Sequence, residues 1–402
     1  MAVVDHAPRL PQFDNLDFDD FHAEELPRRL AAGNGELAAD IAAGALIKSF
    51  AWRLTDGRSV TYTVGDYGIE IRPGDDAELV VEVSEQNWFN YVAELWTWVG
   101  LMYAEAAEMV RGDFGLFEDF EPVLLAMYHG RPLYEGWEPT VDLSRSFTLK
   151  DDHEEMSRFL DEAGFLHIRG VFSAEEIEAL RAEVERQRSE ATPDDHRSWW
   201  ATNADGDEVC CRVTHMDDRS ELMLGLIGDR RLDAIGALGG DDFAAYPERG
   251  DGVSVVIKLP SIVEGLADLP WHRDCGTGGH SITCPTVSIG IQLDECTEAN
   301  GQLHYLAGSN KSSNRAREVR DGWPTVAISA SPGDVTVHYG HTMHGAPPPT
   351  GAPVSGGRRT IYVGYHKPIW AEFIPPGQGY NDILFKDGGR ILSPEEFQEQ
   401  SS

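Results

Sequence analysis

Residues able to hold a metal ion stand close together at Trp271-His272-Arg273-Asp274. Residues i and i+2 of an extended chain project to the same face, so His272 and Asp274 can reach one ion together while Arg273 points away. A third ligand must come from a distant strand, and the stretch Gly333-Asp-Val-Thr-Val-His-Tyr-Gly-His-Thr-Met-His-Gly345 offers His338, His341 and His344. His338 alternates with Val335 and Val337, which directs it away from whatever core those valines fill. Two imidazoles and one carboxylate on one side of an ion leave the other side open. Non-haem iron(II) oxygenases use that arrangement to bind a co-substrate and O2 side by side. Further on, Gly356-Gly-Arg-Arg-Thr-Ile-Tyr362 sets Arg358 and Arg359 at the start of a β-rich run. A fixed fork of donors is what the far carboxylate of a dicarboxylate such as 2-oxoglutarate requires.

These residues need a rigid frame, and the sequence supplies β-runs around them. From Gly252 onward, Val253–Leu259, Thr286–Leu293, Leu303–Ala307, Asp334–Tyr339 and Thr360–Tyr365 are separated mainly by turns, which predicts a barrel or jelly roll. Ahead of them a helix over Asp152–Ala163, a short strand within Gly164–Gly170 and a capping box at Ser173-Ala-Glu-Glu176 open the same unit. Gly and Pro punctuate a linker at Tyr134-Glu-Gly-Trp-Glu-Pro139.

Before the linker lies a different pattern. Phe50–Leu54, Val60–Val64, Tyr67–Ile71 and Leu79–Val83 are divided by Asp56-Gly57, Gly65-Asp66 and Pro73-Gly74, which predicts an antiparallel meander. Ser84 then caps a helix carrying Trp88, Phe89, Val92, Leu95, Trp96 and Val99, and a second helix runs from Phe114 to His129-Gly130. This order resembles the sterol-carrier-protein-like fold over roughly residues 35 to 135, with Arg53-Leu-Thr-Asp-Gly57 and Arg111-Gly-Asp113 as the nearest local matches. The resemblance implies an apolar tunnel for an acyl chain or sterol-like molecule.

The second half is also recognisable. Phe159-Leu-Asp-Glu-Ala-Gly-Phe-Leu-His-Ile-Arg-Gly-Val-Phe172 and the stretch from Leu293 through Asn300-Gly301 to Ser309 accompany the His-x-Asp and the distal His344-Gly345. Together they resemble the phytanoyl-CoA dioxygenase family of Fe(II)/2-oxoglutarate-dependent oxygenases across roughly residues 147 to 370. The resemblance implies a double-stranded β-helix (jelly-roll, cupin-like) core with Fe(II), 2-oxoglutarate and O2 as cofactor and co-substrates. It implies metal ligands His272, Asp274 and His344, a co-substrate anchor at Arg358 with Arg359 as the alternative, and a contribution from Lys258. Where many members carry Ser two residues after the distal histidine, this chain has Ala346. The carboxylate at Asp274 argues against a halogenase, which needs that coordination position vacant.

The expected organisation is an acidic leader at 1–34, an α+β domain at 35–138, the oxygenase domain at 145–370 and a C-terminal extension at 371–402. The expected activity is hydroxylation of an unactivated C–H bond of a small, apolar or acyl-type substrate, with release of succinate and CO2. The alternative is a lipid- or acyl-binding sensor on an oxygenase scaffold.

Composition narrows the partners. Sixty-eight acidic residues against 33 basic give a formal net charge of −35, a field that repels nucleic acid and anionic lipid. No apolar run approaches membrane-spanning length, and the start has no export signal, so a cytoplasmic location is expected. Five cysteines without a CxxC pair read as free thiols, with Cys210-Cys211 as small buried strand residues. Trp199, Trp200 and His215 are expected either in a substrate pocket or in ordinary packing.

Overall fold

A computed structural model of the protein describes residues 16–65, 68–103, 105–246, 250–260, 262–264, 269–274, 286–314, 319–349 and 357–368. Residues 1–15 of the acidic leader, Tyr67, Cys275, Cys284 and the C-terminal extension lie outside the described residues.

The first sheet contains β1 (Ser49–Leu54), β2 (Ser59–Gly65), β3 (Gly68–Pro73), β4 (Leu79–Val83) and β5 (Ala107–Arg111), in the order β3-β2-β1-β4-β5. It departs from the expected meander. β1 and β4 pair in parallel, Phe50 opposite Leu79 and Leu54 opposite Val83, which places β1 at the centre. That position buries Phe50, Ala51, Trp52 and Leu54, and a central strand shielded on both faces carries nearly continuous apolar sequence.

The aromatic helix also differs from expectation. Ser84 caps it through Asn87 N–H, but it ends at Val92, and a separate helix runs Trp98–Tyr103. Between them Glu94 adopts φ of 60°, and the amides of Leu95 and Trp96 both turn back to Asn90 O. The break lets Leu95 and Trp96 join the same core as Trp88 and Phe89.

That core is filled by rings. Phe50 lies 4.9 Å from Trp52 and 5.6 Å from Phe120, Trp52 lies 5.2 Å from Tyr91, and Trp88 packs edge-on against Phe18 at 5.0 Å. The tunnel implied by the sterol-carrier resemblance is therefore replaced by interlocked aromatic packing, because the rings of the sheet and the helices meet directly. A cavity of about 630 Å³ does border Phe89 and Val92, but its other wall includes Asp20, Glu24, Arg28 and Arg29, a poor surface for an acyl chain.

The second unit is a double-stranded β-helix. Its strands are β6 (Phe165–Ile168), β7 (Ser198–Asn203), β8 (Glu208–Val213), β9 (Ala244–Ala245), β10 (Ser254–Lys258), β11 (Ile262–Glu264), β12 (Leu269–His272), β13 (Thr286–Gln292), β14 (Leu303–Leu306), β15 (Thr325–Ile328), β16 (Val335–Tyr339), β17 (His344–Ala346) and β18 (Arg358–His366). The large sheet runs β11-β7-β8-β10-β18-β13-β16-β6 with β9 alongside β18, and the small one runs β12-β17-β14-β15.

The central strands of the large sheet are buried on both faces, and the two faces differ. Ile289, Ile291, Val335 and Val337 belong to a core shared with Phe159 and Leu160 of the helix His153–Ala163. The alternate residues, Ser288, Gly290 and Gln292 on β13 opposite His338 and Thr336 on β16, are small or polar and face the barrel interior. Gly290 is required there, since a Cβ would lie 2.9 Å from Thr336 Oγ1 and 3.0 Å from the Tyr362 ring.

The linker packs against the outside of the small sheet. Tyr134 donates its hydroxyl to Ala307 O at 2.8 Å and clusters with Leu306, Met343, Trp271 and Trp323. Among the described residues no helix is long and apolar enough to cross a membrane.

Candidate metal centre

The small sheet brings the two ends of the sequence pattern together. His272 and His344 are direct cross-strand partners on β12 and β17, with ring centroids 4.2 Å apart. Asp274 follows β12, and its Oδ1 lies 3.5 Å from Nε2 of each histidine. Among the described residues, the donor atoms of His272, Asp274 and His344 all lie within 4.8 Å of one another. Two donors about 2.1 Å from one ion at right angles would be roughly 3 Å apart, so small side-chain adjustments complete such a shell.

The protonation states suit a metal. His344 Nδ1 donates to Thr342 O at 2.9 Å, which leaves Nε2 free of a proton. Burial and the neighbouring His272 lower His344 to about 3, so its imidazole is neutral at physiological pH. Enclosure raises the Asp274 carboxyl, but His344, His272 and His338 outweigh it and hold the group well below the usual carboxylate range. His272 and Asp274 keep about a third of their side chains exposed, 32% and 38%, against 7% for His344. The site thus has a closed inner wall and an open mouth.

Arg273 turns away as its alternation requires, donating to Ser309 O and Ser312 O at 3.2 and 3.1 Å. His341 is buried in the turn ahead of β17 and lies outside the converging set. His338 does point away from the valine core, and in this fold that direction is the barrel interior. Its Nε2 lies 3.1 Å from Asp274 Oδ2. Reading the alternation alone did not reveal this contact, because it does not say that the second face of β16 is also enclosed.

The two arginines point to opposite faces of β18. Arg359 points outward, gripping Asp294 through two N–H donors at 2.8 and 2.7 Å and Glu185 at 3.0 Å. Arg358 points inward, donating to Asn300 O, Gly301 O and Thr360 Oγ1 at 3.3, 2.8 and 3.0 Å. Those bonds use three of its five N–H donors. Lys258, paired with Arg358 across β10 and β18, is 1% exposed and donates to Ala346 O. Gly301, at φ of 74°, allows this close approach, since a Cβ would come 2.5 Å from Pro347 O and 3.1 Å from Lys258 Cε.

Other candidates resolve as packing. Trp199 is 3% exposed and clusters with Ala201 and Cys211, under the Arg212 guanidinium. Burial pushes the Cys210 thiol up to about 12 and Cys211 to about 11, which leaves both unreactive at neutral pH.

Residues 160–355 match the phytanoyl-CoA dioxygenase family. No curated protein matches the sequence. Among solved structures, AviO1 from Streptomyces viridochromogenes Tue57 is similar at 24% identity over 56% of this chain and 97% of that one, with a TM-score of 0.43. The non-haem α-ketoglutarate-dependent carbocyclase SnoK of nogalamycin biosynthesis is similar at 23% identity over 62% and 94%, with a TM-score of 0.43. EctD from S. alaskensis, crystallised with 2-oxoglutarate and 5-hydroxyectoine, is similar at 19% identity over 57% and 82%, with a TM-score of 0.42.

Proposed function

We propose, starting from a phytanoyl-CoA dioxygenase domain at residues 160–355, that the protein is an iron(II)- and 2-oxoglutarate-dependent oxygenase that hydroxylates a small apolar or acyl-type substrate. The observation that carries this reading is the convergence of His272, Asp274 and His344 with an open outer side. The donor set fits iron: two neutral imidazole nitrogens and one carboxylate match a borderline divalent ion that needs free positions. Bound there, iron(II) would supply the O2 chemistry that couples decarboxylation of 2-oxoglutarate to oxidation of a C–H bond.

The remaining work falls to the chain. His344 is held in its metal-binding tautomer by Thr342 O. Arg358 and Lys258, both buried at the inner end of the barrel, give a dicarboxylate a fixed positive wall, and Arg358 keeps donors for it. Thr360 Oγ1 positions the Arg358 fork and passes its own hydrogen bond on to Gln292 Oε1 at 3.1 Å. The enclosed interior excludes water from that end, which strengthens the charge pairing.

The test is succinate formation by anaerobically reconstituted protein with medium-chain acyl compounds as candidate substrates. Formation dependent on Fe(II), 2-oxoglutarate and O2 is expected, with loss in His272→Ala, Asp274→Ala and His344→Ala. Acyl binding without any succinate would replace the enzyme with a sensor, and turnover surviving in all three variants would remove the metal centre.

A further inference from the structure

We infer that His338, from the opposite sheet and outside the converging set, is a positioning residue that holds Asp274 as a one-oxygen ligand. The inference rests on the metal reading above and concerns how its carboxylate is kept in place.

His338 is 1% exposed and bonded at both ring nitrogens, with Nε2 3.1 Å from Asp274 Oδ2 and Nδ1 3.2 Å from the Tyr305 hydroxyl. An ionised carboxylate only accepts, so the network assigns the proton to Nε2, and Nδ1 then accepts from Tyr305 O–H. Tyr305 is itself immobile: it is fully buried and stacks on Phe165 at 4.8 Å with the rings parallel to within 1°. The chain Tyr305–His338–Asp274 therefore links β14 of the small sheet to β16 of the large one, and ends on the carboxylate.

The two carboxylate oxygens have separate duties. Oδ1 faces His272 and His344 at 3.5 Å each, whereas Oδ2 is taken by His338. Asp274 sits just beyond the end of β12 with 38% of its side chain exposed, so no ladder fixes its rotamer. Without the His338 bond both oxygens could turn to an ion and occupy one of the positions that a co-substrate and O2 require. Hydrogen-bond partners of metal ligands are typically worth 10- to 100-fold in metal affinity.

The experiment is anaerobic titration of the metal-free full chain with Co(II), reading affinity and the visible Co(II) spectrum together with the melting temperature of the metal-free protein. His338→Phe should weaken binding about 10- to 100-fold and alter the spectrum in a chain that still folds, with a lowered melting temperature because the buried Tyr305 hydroxyl loses its acceptor. His338→Gln, whose amide N–H reaches the same oxygen, should restore most of the affinity, a recovery that packing alone would not give. Tyr305→Phe keeps the stacked ring and frees Nδ1, and should weaken binding less. Wild-type-like affinity and spectrum in both His338→Phe and Tyr305→Phe would overturn this inference while leaving the metal reading intact. A wild-type chain that binds no Co(II) would overturn both.

Discussion

Among the described residues, two buried chains of aromatic hydrogen bonds, one in each unit, end differently. In the N-terminal core Trp52 Nε1–H donates to the Tyr128 hydroxyl at 2.9 Å, Tyr128 donates to the Tyr62 hydroxyl at 3.0 Å, Tyr62 meets His22 Nε2, and His22 Nδ1 closes on Phe18 O. Burial lowers His22 to about 4 and raises Tyr62, so the chain is neutral throughout. In the barrel, Tyr305 and His338 lead to a charged carboxylate at an open mouth. A chain whose ends are both consumed inside the protein fixes a fold, whereas one ending on a partly exposed anion keeps capacity for a ligand. Burial of polar groups alone does not tell the two apart; the last member does.

The sharpest way to break this contrast is to damage the closed core and watch the open site. Trp88 is fully buried between Phe18 and Phe21. Trp88→Ala should cost about 3–5 kcal/mol in denaturant unfolding and leave Co(II) affinity of the folded protein unchanged. A fall in affinity would show that the aromatic core sets the metal geometry.

A smaller effect separates the arginines. Arg358→Ala should raise the KM for 2-oxoglutarate by about ten- to a hundredfold, since a charge-assisted contact is worth about 1.5–3 kcal/mol. Arg359→Ala should instead lower the melting temperature, because buried Asp294 loses both guanidinium donors and, among the described residues, keeps only Arg181 at 3.5 Å as a charged partner. Reversed outcomes would move the co-substrate to the outer face of β18.

The smallest effect lies at the seam between the units. Glu121 Oε1 accepts from Trp98 N–H and Tyr91 O–H, and burial pushes its carboxyl from 4.5 to about 7, against the pull of those two hydrogen bonds and, last, of the Arg273 charge. The native state therefore binds a proton that the unfolded chain has released, so stability falls as pH rises through that window. Glu121→Gln keeps both acceptor contacts without the charge. Relative to wild type it should gain on the order of 1 kcal/mol between pH 5 and pH 8, read by unfolding at each pH. A difference independent of pH would show the carboxyl to be unperturbed.

Much of the barrel was legible because its signals are local. The i, i+2 spacing of His272 and Asp274, the capping box at Ser173 and the turn at Asn300-Gly301 depend only on neighbours in sequence. What was illegible depends on long-range pairing. The parallel union of β1 and β4 joins strands separated by two others, and nothing in either strand announces it. The helix break at Glu94 follows from where Leu95 and Trp96 are buried. Alternation correctly separated His338 from the valines, but only the closure of the barrel turns the opposite direction into an interior.

The linker that meets the small sheet has a practical meaning for anyone dividing the chain. Tyr134 donates to Ala307 O and shields Leu306 at the end of β14 and Met343 just ahead of β17, which carries His344, while Trp323 closes over it at 4.9 Å. A fragment starting at residue 145 would carry His272, Asp274 and His344 yet bare an apolar patch directly behind the strands that bring them together. Fragments meant to retain that wall have to begin upstream of Leu133, whose backbone bridges to Ser313, so the useful cut lies in the end of the preceding helix rather than in the Gly- and Pro-punctuated stretch that looks like the seam.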